Sequence, residues 1–405
     1  MNVYDVLKER GFIDQATHEE EIREILGKEK VTFYIGYDPT ADSLTAGGLI
    51  TIMALIHLQR AGHVPIALMG GGTGMIGDPT DKTETRKMMD VAEIESNVQG
   101  IRAQLERFIQ FDGGKAIMEN NADWLMKLNY VPVLREVCIH FSVNRMLTAD
   151  AFRTRFERGE GLTLFELNYM VMQAYDFLEL NRRHNCVMQV GGRDQWSNII
   201  AGIELIRRVD KKEAYGLTFT LLTTASGDKM GKSMDGAVWL DANKTSPYEF
   251  FQYFRNTDDR DVEKYMKLFT FLPMDEISRL ASGNINGAKE VLALEITTLV
   301  HGEKAAREAL EAAKALFGGG GDNAAMPLTE LSAGDLAEMD LTGLLVRAGL
   351  APSRSEARRL IDQGGVTLSG EKALDPAMAI TPEIFKDGEL IMRKGKKTFH
   401  KVRLI

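Results

Sequence analysis

The sequence has no run of about 18 uninterrupted apolar residues, the length a helix needs to cross a bilayer, and charge begins at Asp5, where a secretory leader needs an apolar stretch. A helical membrane protein is therefore excluded, and a cytosolic one is expected. Cysteine is scarce: Cys138 and Cys186 are the only two. Neither has zinc-like spacing or a near partner, so both are expected to pack as small hydrophobes.

What is present suits ordinary packed cores. Of 405 residues, 44% are apolar and 26% charged, and at roughly 150 residues per domain the length suggests two or three domains. Positive charge is in deficit overall, with a net −9, but it is unevenly spread. Residues 342–405 carry twelve Lys or Arg against seven Asp or Glu. Such a basic end is either a solvated surface or the electrostatic footprint of phosphate-backbone binding.

Short β-branched runs at 31–35, 64–69, 186–190 and 217–222 alternate with helical-period segments, which implies α/β architecture with a parallel sheet. Sheets of this kind bind ligands beyond the carboxyl ends of their strands, so the loops after these runs are where chemistry is sought. From Pro247 to about residue 317 the pattern is helical. The glycine-rich stretch that follows Phe317 lacks periodicity and reads as a linker. The expected organisation is a Rossmann-like catalytic domain over 1–246, a helical domain over 247–317, a flexible linker over 318–334 and a small α+β domain over 335–405. Within the last, 341–349 and 354–362 read as helices and 366–368 as a strand. Arg354, Arg358 and Arg359 share one side of the second helix.

Three constellations carry candidate chemistry, the third in two parts. Tyr34-Ile35-Gly36-Tyr37-Asp38-Pro39-Thr40 ends the first run, and Thr45-Ala46-Gly47-Gly48 then opens an apolar helix, an arrangement that lets backbone N–H groups meet phosphates. Gly227, Lys229, Met230, Gly231, Lys232 and Ser233 form a glycine-bearing loop whose lysines can close over a polyphosphate. Between 162 and 180, Tyr169, Gln173 and Asp176 recur on one face of an otherwise apolar helix; such groups must be paired or face a ligand. Gly191-Gly192-Arg193-Asp194-Gln195 again ends a strand and opens a helix, with Asp194 placed to hold ribose hydroxyls.

The first two stretches resemble the paired signatures of class I aminoacyl-tRNA synthetases, His-Ile-Gly-His and Lys-Met-Ser-Lys-Ser. With the third, in this order and spacing, the chain resembles bacterial tyrosyl-tRNA synthetases from Tyr34 through the basic tail, and the tail resembles the RNA-binding domain of ribosomal small-subunit protein four. The resemblance implies ATP-dependent activation of L-tyrosine and its transfer to tRNA(Tyr), with Mg²⁺ accompanying ATP and no protein-bound metal. It implies that Tyr34 and Asp176 contact the phenol hydroxyl, that Asp78, Tyr169 and Gln173, with Gln195, hold the amino-acid head, and that Gly36, Asp38, Gly47, Gly192 and Asp194 serve the nucleotide. Lys82, Arg86, Lys229, Lys232, Ser233 and Thr40 would attend the phosphates, and Arg354, Arg358 and Arg359 the RNA. A homodimer formed through the catalytic domain, with one tRNA reaching across both subunits, is also implied.

The histidine signature is absent as usually written, its four positions reading Thr45-Ala46-Gly47-Gly48. Gly48 stands where the second signature histidine would be, leaving either a working ligase that relies on other donors or an impaired relative that binds tyrosine and RNA. Two other classes compete. Gly72-Thr73-Gly74-Met75-Ile76-Gly77 fits the dinucleotide pattern of an oxidoreductase, but Asp78-Pro79 falls where the phosphate-binding helix should be under way. An RNA-binding scaffold without catalysis would have no use for a full amino-acid and phosphate set.

Overall fold

The apolar runs expected as strands form the middle of a six-stranded sheet. Its strands are β1 (Ile13–Ala16), β2 (Thr32–Tyr37), β3 (Val64–Met69), β4 (Ile117–Asn120), β5 (Met188–Gly192) and β6 (Tyr215–Phe219), in the order β1-β6-β5-β2-β3-β4. Every neighbouring pair is parallel except β1–β6. All six residues of β3 are buried, as a strand covered on both faces requires. The chain leaves β2 outward through β3 and β4 and later runs the other way from β5 to β6. The order therefore reverses between β2 and β5, where Tyr34 pairs with Gln189, and the crevice at their carboxyl ends is the ligand position of such sheets.

The computed structural model describes residues 2–405 apart from 80–88, 150–151, 154–156, 160, 228, 234–235, 319–326, 333, 337–338, 387 and 396–397. They fall into two compact units, one of Met1–Lys244 with Thr257–Leu292 and the other of Thr245–Asn256 with Ala293–Ile405. In the first, helix α1 (Leu49–Arg60) is apolar nearly all round and buries eight residues, so it belongs to the core rather than the surface. Helix α2 (Val91–Phe108) starts at Asp90, whose side chain accepts from the Glu93 N–H. Helix α3 (Leu164–His184) starts at a reciprocal Thr163–Glu166 capping box, ends at a left-handed Asn185, and carries Arg182, Arg183 and His184 in its last turn. Helix α4 (Trp196–Val209) follows β5.

Two edge strands, β1 and β4, were not expected from the sequence. Both are half-exposed along their length, so neither shows a long apolar run. The compact units also cut across the expected helical domain, because residues 257–292 cluster with the first unit. Arg10 explains part of this: its guanidinium donates to the carbonyls of Lys267, Thr270 and Leu272 at 3.0, 2.8 and 2.6 Å, a link no local pattern announces.

In the second unit, helix Pro247–Arg255 begins at a Ser246–Glu249 capping box. A five-stranded sheet contains Leu328–Leu331, Val366–Leu368, Glu371–Lys372, Glu389–Lys394 and Thr398–Leu404. Helices Leu341–Arg347 and Arg354–Asp362 contribute Leu341, Leu344, Leu345, Ala357 and Ile361 to the core beneath it. Leu328–Leu331 lies inside the stretch expected as linker; it pairs in parallel with Thr398–Leu404, a partner some 70 residues away. Among the described residues, no helix is long and apolar enough to cross a membrane.

Candidate active site

A crevice of about 490 Å³ opens at the switch point. Around it the fold gathers Tyr34, Gly36, Asp38 and Thr40 from β2 and its loop, Gly47 and Gly48 ahead of α1, and Asp78 beyond β3. Tyr169, Gln173 and Asp176 come from α3, Gly192, Asp194 and Gln195 from the end of β5, and Lys229 from the loop after β6. The i, i+4, i+7 spacing on α3 places Tyr169, Gln173 and Asp176 along one cavity.

Asp176 is buried, only 2% exposed. Its carboxylate accepts from the Trp124 indole N–H at 2.7 Å and from the Asn121 amide at 2.9 Å. Asn121 is fixed in turn, its oxygen accepting from the Gly72 N–H at 2.7 Å and its amide donating also to Thr73 at 3.0 Å. Near Asp176 lies the Tyr34 ring, tilted at 54° against Phe177 with centroids 5.3 Å apart. Among the described residues, the buried Tyr34 hydroxyl has no hydrogen-bond partner, and neither has the carbonyl oxygen of Gln173. Each such orphan costs about 1–3 kcal/mol, a cost that a ligand filling the crevice would offset. Burial, with help from the Asp176 charge, pushes the Tyr34 phenol well above its ordinary range.

Nearer the mouth a second network joins four elements. Asp38 accepts from Thr73 at 2.8 Å and from the Tyr169 hydroxyl at 2.8 Å. The Gln195 amide donates to Asp78 at 2.7 Å and to Asp194 at 2.9 Å, while its oxygen accepts from Gln173 at 3.1 Å. Burial and the charges of Asp38, Asp78 and Asp176 all raise the Tyr169 phenol. That concentration of carboxylates around one phenol suits a bound cation.

The two glycine-rich stretches meet at the other end. Thr45 bridges to Trp239, and the Ala46 N–H donates to Val238 at 2.8 Å. A Cβ on Gly47 would lie 2.8 Å from the Met230 carbonyl oxygen, and one on Gly231, at φ +95°, 2.6 Å from the Gly47 nitrogen. Only glycines allow this backbone approach. Gly48 is different: φ is −74°, and the nearest atom to an added Cβ is Leu44 Cβ at 4.0 Å.

Sequence reasoning missed Asn121, Trp124 and Thr73. Asn121 and Trp124 follow an edge strand that was not recognised and are 55 and 52 residues from the Asp176 they hold; Thr73 lies in the short 3-10 turn after β3. Lys82 and Arg86 lie outside the described residues, as do the side chains of Lys232 and Ser233, whose backbone pairs with Gly236–Ala237. The dinucleotide reading fails on geometry: Thr73–Met75 is a single 3-10 turn, and a Cβ on Gly74 would press Pro39 at 3.0 Å, so these glycines serve packing and do not open a phosphate-binding helix.

Residues 27–318 match the family of class I tRNA synthetases for tryptophan and tyrosine, and residues 322–402 match a C-terminal domain of tyrosine–tRNA ligases. The chain is 57% identical over 404 residues to a tyrosine–tRNA ligase of Clostridium kluyveri, and 58% over 405 residues to one of Clostridium botulinum, with 99% of each chain covered. This chain belongs to the tyrosine–tRNA ligase family. Among solved structures it resembles a C-terminally truncated mitochondrial tyrosyl-tRNA synthetase of Aspergillus nidulans, at 29% identity and a TM-score of 0.71 over 78% of this chain and 94% of that one.

Within this tyrosine–tRNA ligase fold, burial pushes the Asp176 carboxyl from 3.8 up to about 7. Donation from Asn121 and Trp124 opposes the rise, and the charges of Asp38 and Glu179 add to it. A folded-state value above the unfolded one means stability that is full below about pH 4 and is lost as pH climbs to about 7, by up to about 4 kcal/mol. Melting temperatures of the wild type and Asp176→Asn, measured without ligand from pH 4 to 8, are expected to diverge across pH 4–7 at the wild type's expense and to run parallel above. Parallel curves throughout would contradict the assignment.

Proposed function

We infer that the chain activates L-tyrosine with ATP as tyrosyl-adenylate and passes the tyrosyl group to the 3′ end of tRNA(Tyr). The tyrosine carboxylate attacks the ATP α-phosphorus in line and pyrophosphate leaves. The terminal ribose hydroxyl of the tRNA then attacks the adenylate carbonyl, and AMP leaves. Neither step needs a covalent enzyme intermediate; each needs alignment and stabilisation of charge. Mg²⁺ comes with the ATP phosphates, and the reaction takes place in the cytoplasm.

The observation that carries the substrate is the buried Asp176 carboxylate near a buried Tyr34 hydroxyl that has no hydrogen-bond partner among the described residues. A phenol hydroxyl donates to the first and engages the second, whereas phenylalanine leaves the Tyr34 hydroxyl unsatisfied and brings Asp176 no donor of its own, which is how a polar pocket rejects an analogue lacking one hydroxyl. Asp78, Tyr169 and Gln173 hold the ammonium group, a role supported by the carboxylates around Tyr169, and Gln195 serves the reacting carboxyl of the tyrosine. Gly36, Asp38, Gly47, Gly192 and Asp194 serve the adenylate, while Thr40, Lys82, Arg86, Lys229, Lys232 and Ser233 restrain the departing pyrophosphate. ATP–pyrophosphate exchange tests this reading: exchange is expected with tyrosine and not with equal phenylalanine, and failure of tyrosine to support it would sink the proposal.

The tail is proposed to grip tRNA through Arg354, Arg358 and Arg359, all exposed on one helix. Replacing all three by alanine is expected to weaken tRNA binding about tenfold or more and to flatten its log–log salt dependence by roughly two to three. Exchange, which uses no tRNA, is expected to stay at the wild-type rate. An unchanged salt slope would remove the RNA role.

The homodimer is proposed to form through the catalytic part, where Met126, Tyr130, Val131, Leu134, Ile139 and Val143 are all exposed within 18 residues of chain. Exposed apolar groups at this density mark an interaction surface. Tyr130→Lys with Ile139→Lys is expected to halve the mass measured by sedimentation equilibrium, and an unchanged mass would place the contact elsewhere.

A further inference from the structure

The loop proposed to restrain pyrophosphate is a narrow hairpin. Thr223 bridges to Lys229, the Met230 N–H donates to Leu222 at 3.0 Å, and the Gly227 N–H closes the turn on Thr224 at 2.9 Å. Its outgoing side is tied to helix Asp259–Phe269. The Asp261 carboxylate accepts from the Ala225 N–H at 2.6 Å, and the Lys264 ammonium donates to the Thr223 carbonyl at 2.7 Å. The two side chains stand 3.3 Å apart, and Asp261 is 5% exposed.

Asp261 occupies the first turn of its helix, where a carboxylate is favoured by the helix dipole. Solvent exposure there would serve the dipole equally well. Instead the charge is buried against a loop amide, an arrangement that requires pairing; the pairing comes from Ala225 and Lys264. Of the two anchored residues, Ala225 lies within the loop's turn and Thr223 just before it, directly across from Lys229. On its returning side the same hairpin places Met230 and Gly231 against Gly47.

We propose that Asp261 and Lys264 are positioning residues that hold the hairpin stem, so that Lys229 faces the ATP phosphates at the crevice. Neither touches substrate; both act through the backbone of Thr223 and Ala225. The proposal rests on the reading of Lys229 as a phosphate-restraining group. It deepens that reading by naming what aims the loop.

The test compares single-turnover formation of tyrosyl-adenylate by the full-length protein in Asp261→Ala, Asp261→Asn, Lys264→Met and Lys229→Ala. Asp261→Ala and Lys264→Met are expected to slow adenylate formation at saturating ATP about tenfold, as for loss of one charge-assisted hydrogen bond. Asp261→Asn, which keeps an acceptor for the Ala225 N–H, is expected to recover part of the rate. Tyrosine affinity by equilibrium dialysis is expected to stay within about twofold of wild type, and so is transfer from preformed tyrosyl-adenylate to tRNA, since pyrophosphate has already left. Asp261→Ala combined with Lys229→Ala is expected to be no slower than Lys229→Ala alone, because two changes on one path do not add. A wild-type rate in Asp261→Ala beside a slow Lys229→Ala would overturn the anchoring alone, as would equal losses in tyrosine affinity and transfer. A wild-type rate in Lys229→Ala would overturn the phosphate-side reading and the anchoring with it.

Discussion

Replacing Asp176 by alanine is expected to cut tyrosine-dependent pyrophosphate exchange about 100-fold and to remove most of the preference for tyrosine over phenylalanine. The magnitude follows from deleting one hydrogen bond to a buried charge, about 1.5–3 kcal/mol. It falls on tyrosine and not on phenylalanine, which has no hydroxyl to lose. A second cost appears in the free protein: the Asn121 amide and the Trp124 indole N–H, which donate to this carboxylate, lose that acceptor in a closed site. Reduced thermal stability is therefore expected with reduced selectivity, and Asp176→Asn is no rescue, since its amide would set one donor against another. A variant that kept its selectivity would show that the phenol is read elsewhere.

Replacing Gly48 by histidine is expected to act in the opposite direction, raising the rate of adenylate formation by about 100-fold with little change in tyrosine affinity. A donor aimed at transferring phosphoryl oxygens contributes about 2.7–4 kcal/mol in the transition state, and an interaction made only there appears in the rate constant and not in binding. The position can accept the change. Its backbone is helical and no atom lies closer than 4.0 Å to the new Cβ, while Gly47 beside it is closed by the Met230 carbonyl oxygen. Single-turnover kinetics decide the matter: an unchanged rate would mean that the helix-end N–H groups and the loop cations already supply what the missing side chain would.

What could be read from the sequence follows from how local each signal is. β3 was legible because a strand buried on both faces is a continuous apolar run. The polar stripe of α3 was legible because Tyr169, Gln173 and Asp176 interrupt apolar neighbours at helical spacing. The groups that orient Asp176 were not, since Asn121 and Trp124 follow an edge strand of mixed polarity, and an asparagine or tryptophan in such a segment carries no period. The same holds for the short strand Leu328–Leu331, which exists only because Thr398–Leu404 lies beside it. Asp261 and Lys264 carry no local signal in the sequence; only the fold brings them onto the loop of Lys229.

The most direct measurement is a crystal structure of the full chain with L-tyrosine bound. The phenol oxygen is expected within about 3 Å of both the Asp176 carboxylate and the Tyr34 hydroxyl, with the ammonium group among Asp78, Tyr169 and Gln173. Tyrosine bound with its ring outside this crevice, or with its hydroxyl turned away from Asp176, would contradict the assignment of this pair as the reader of the substrate.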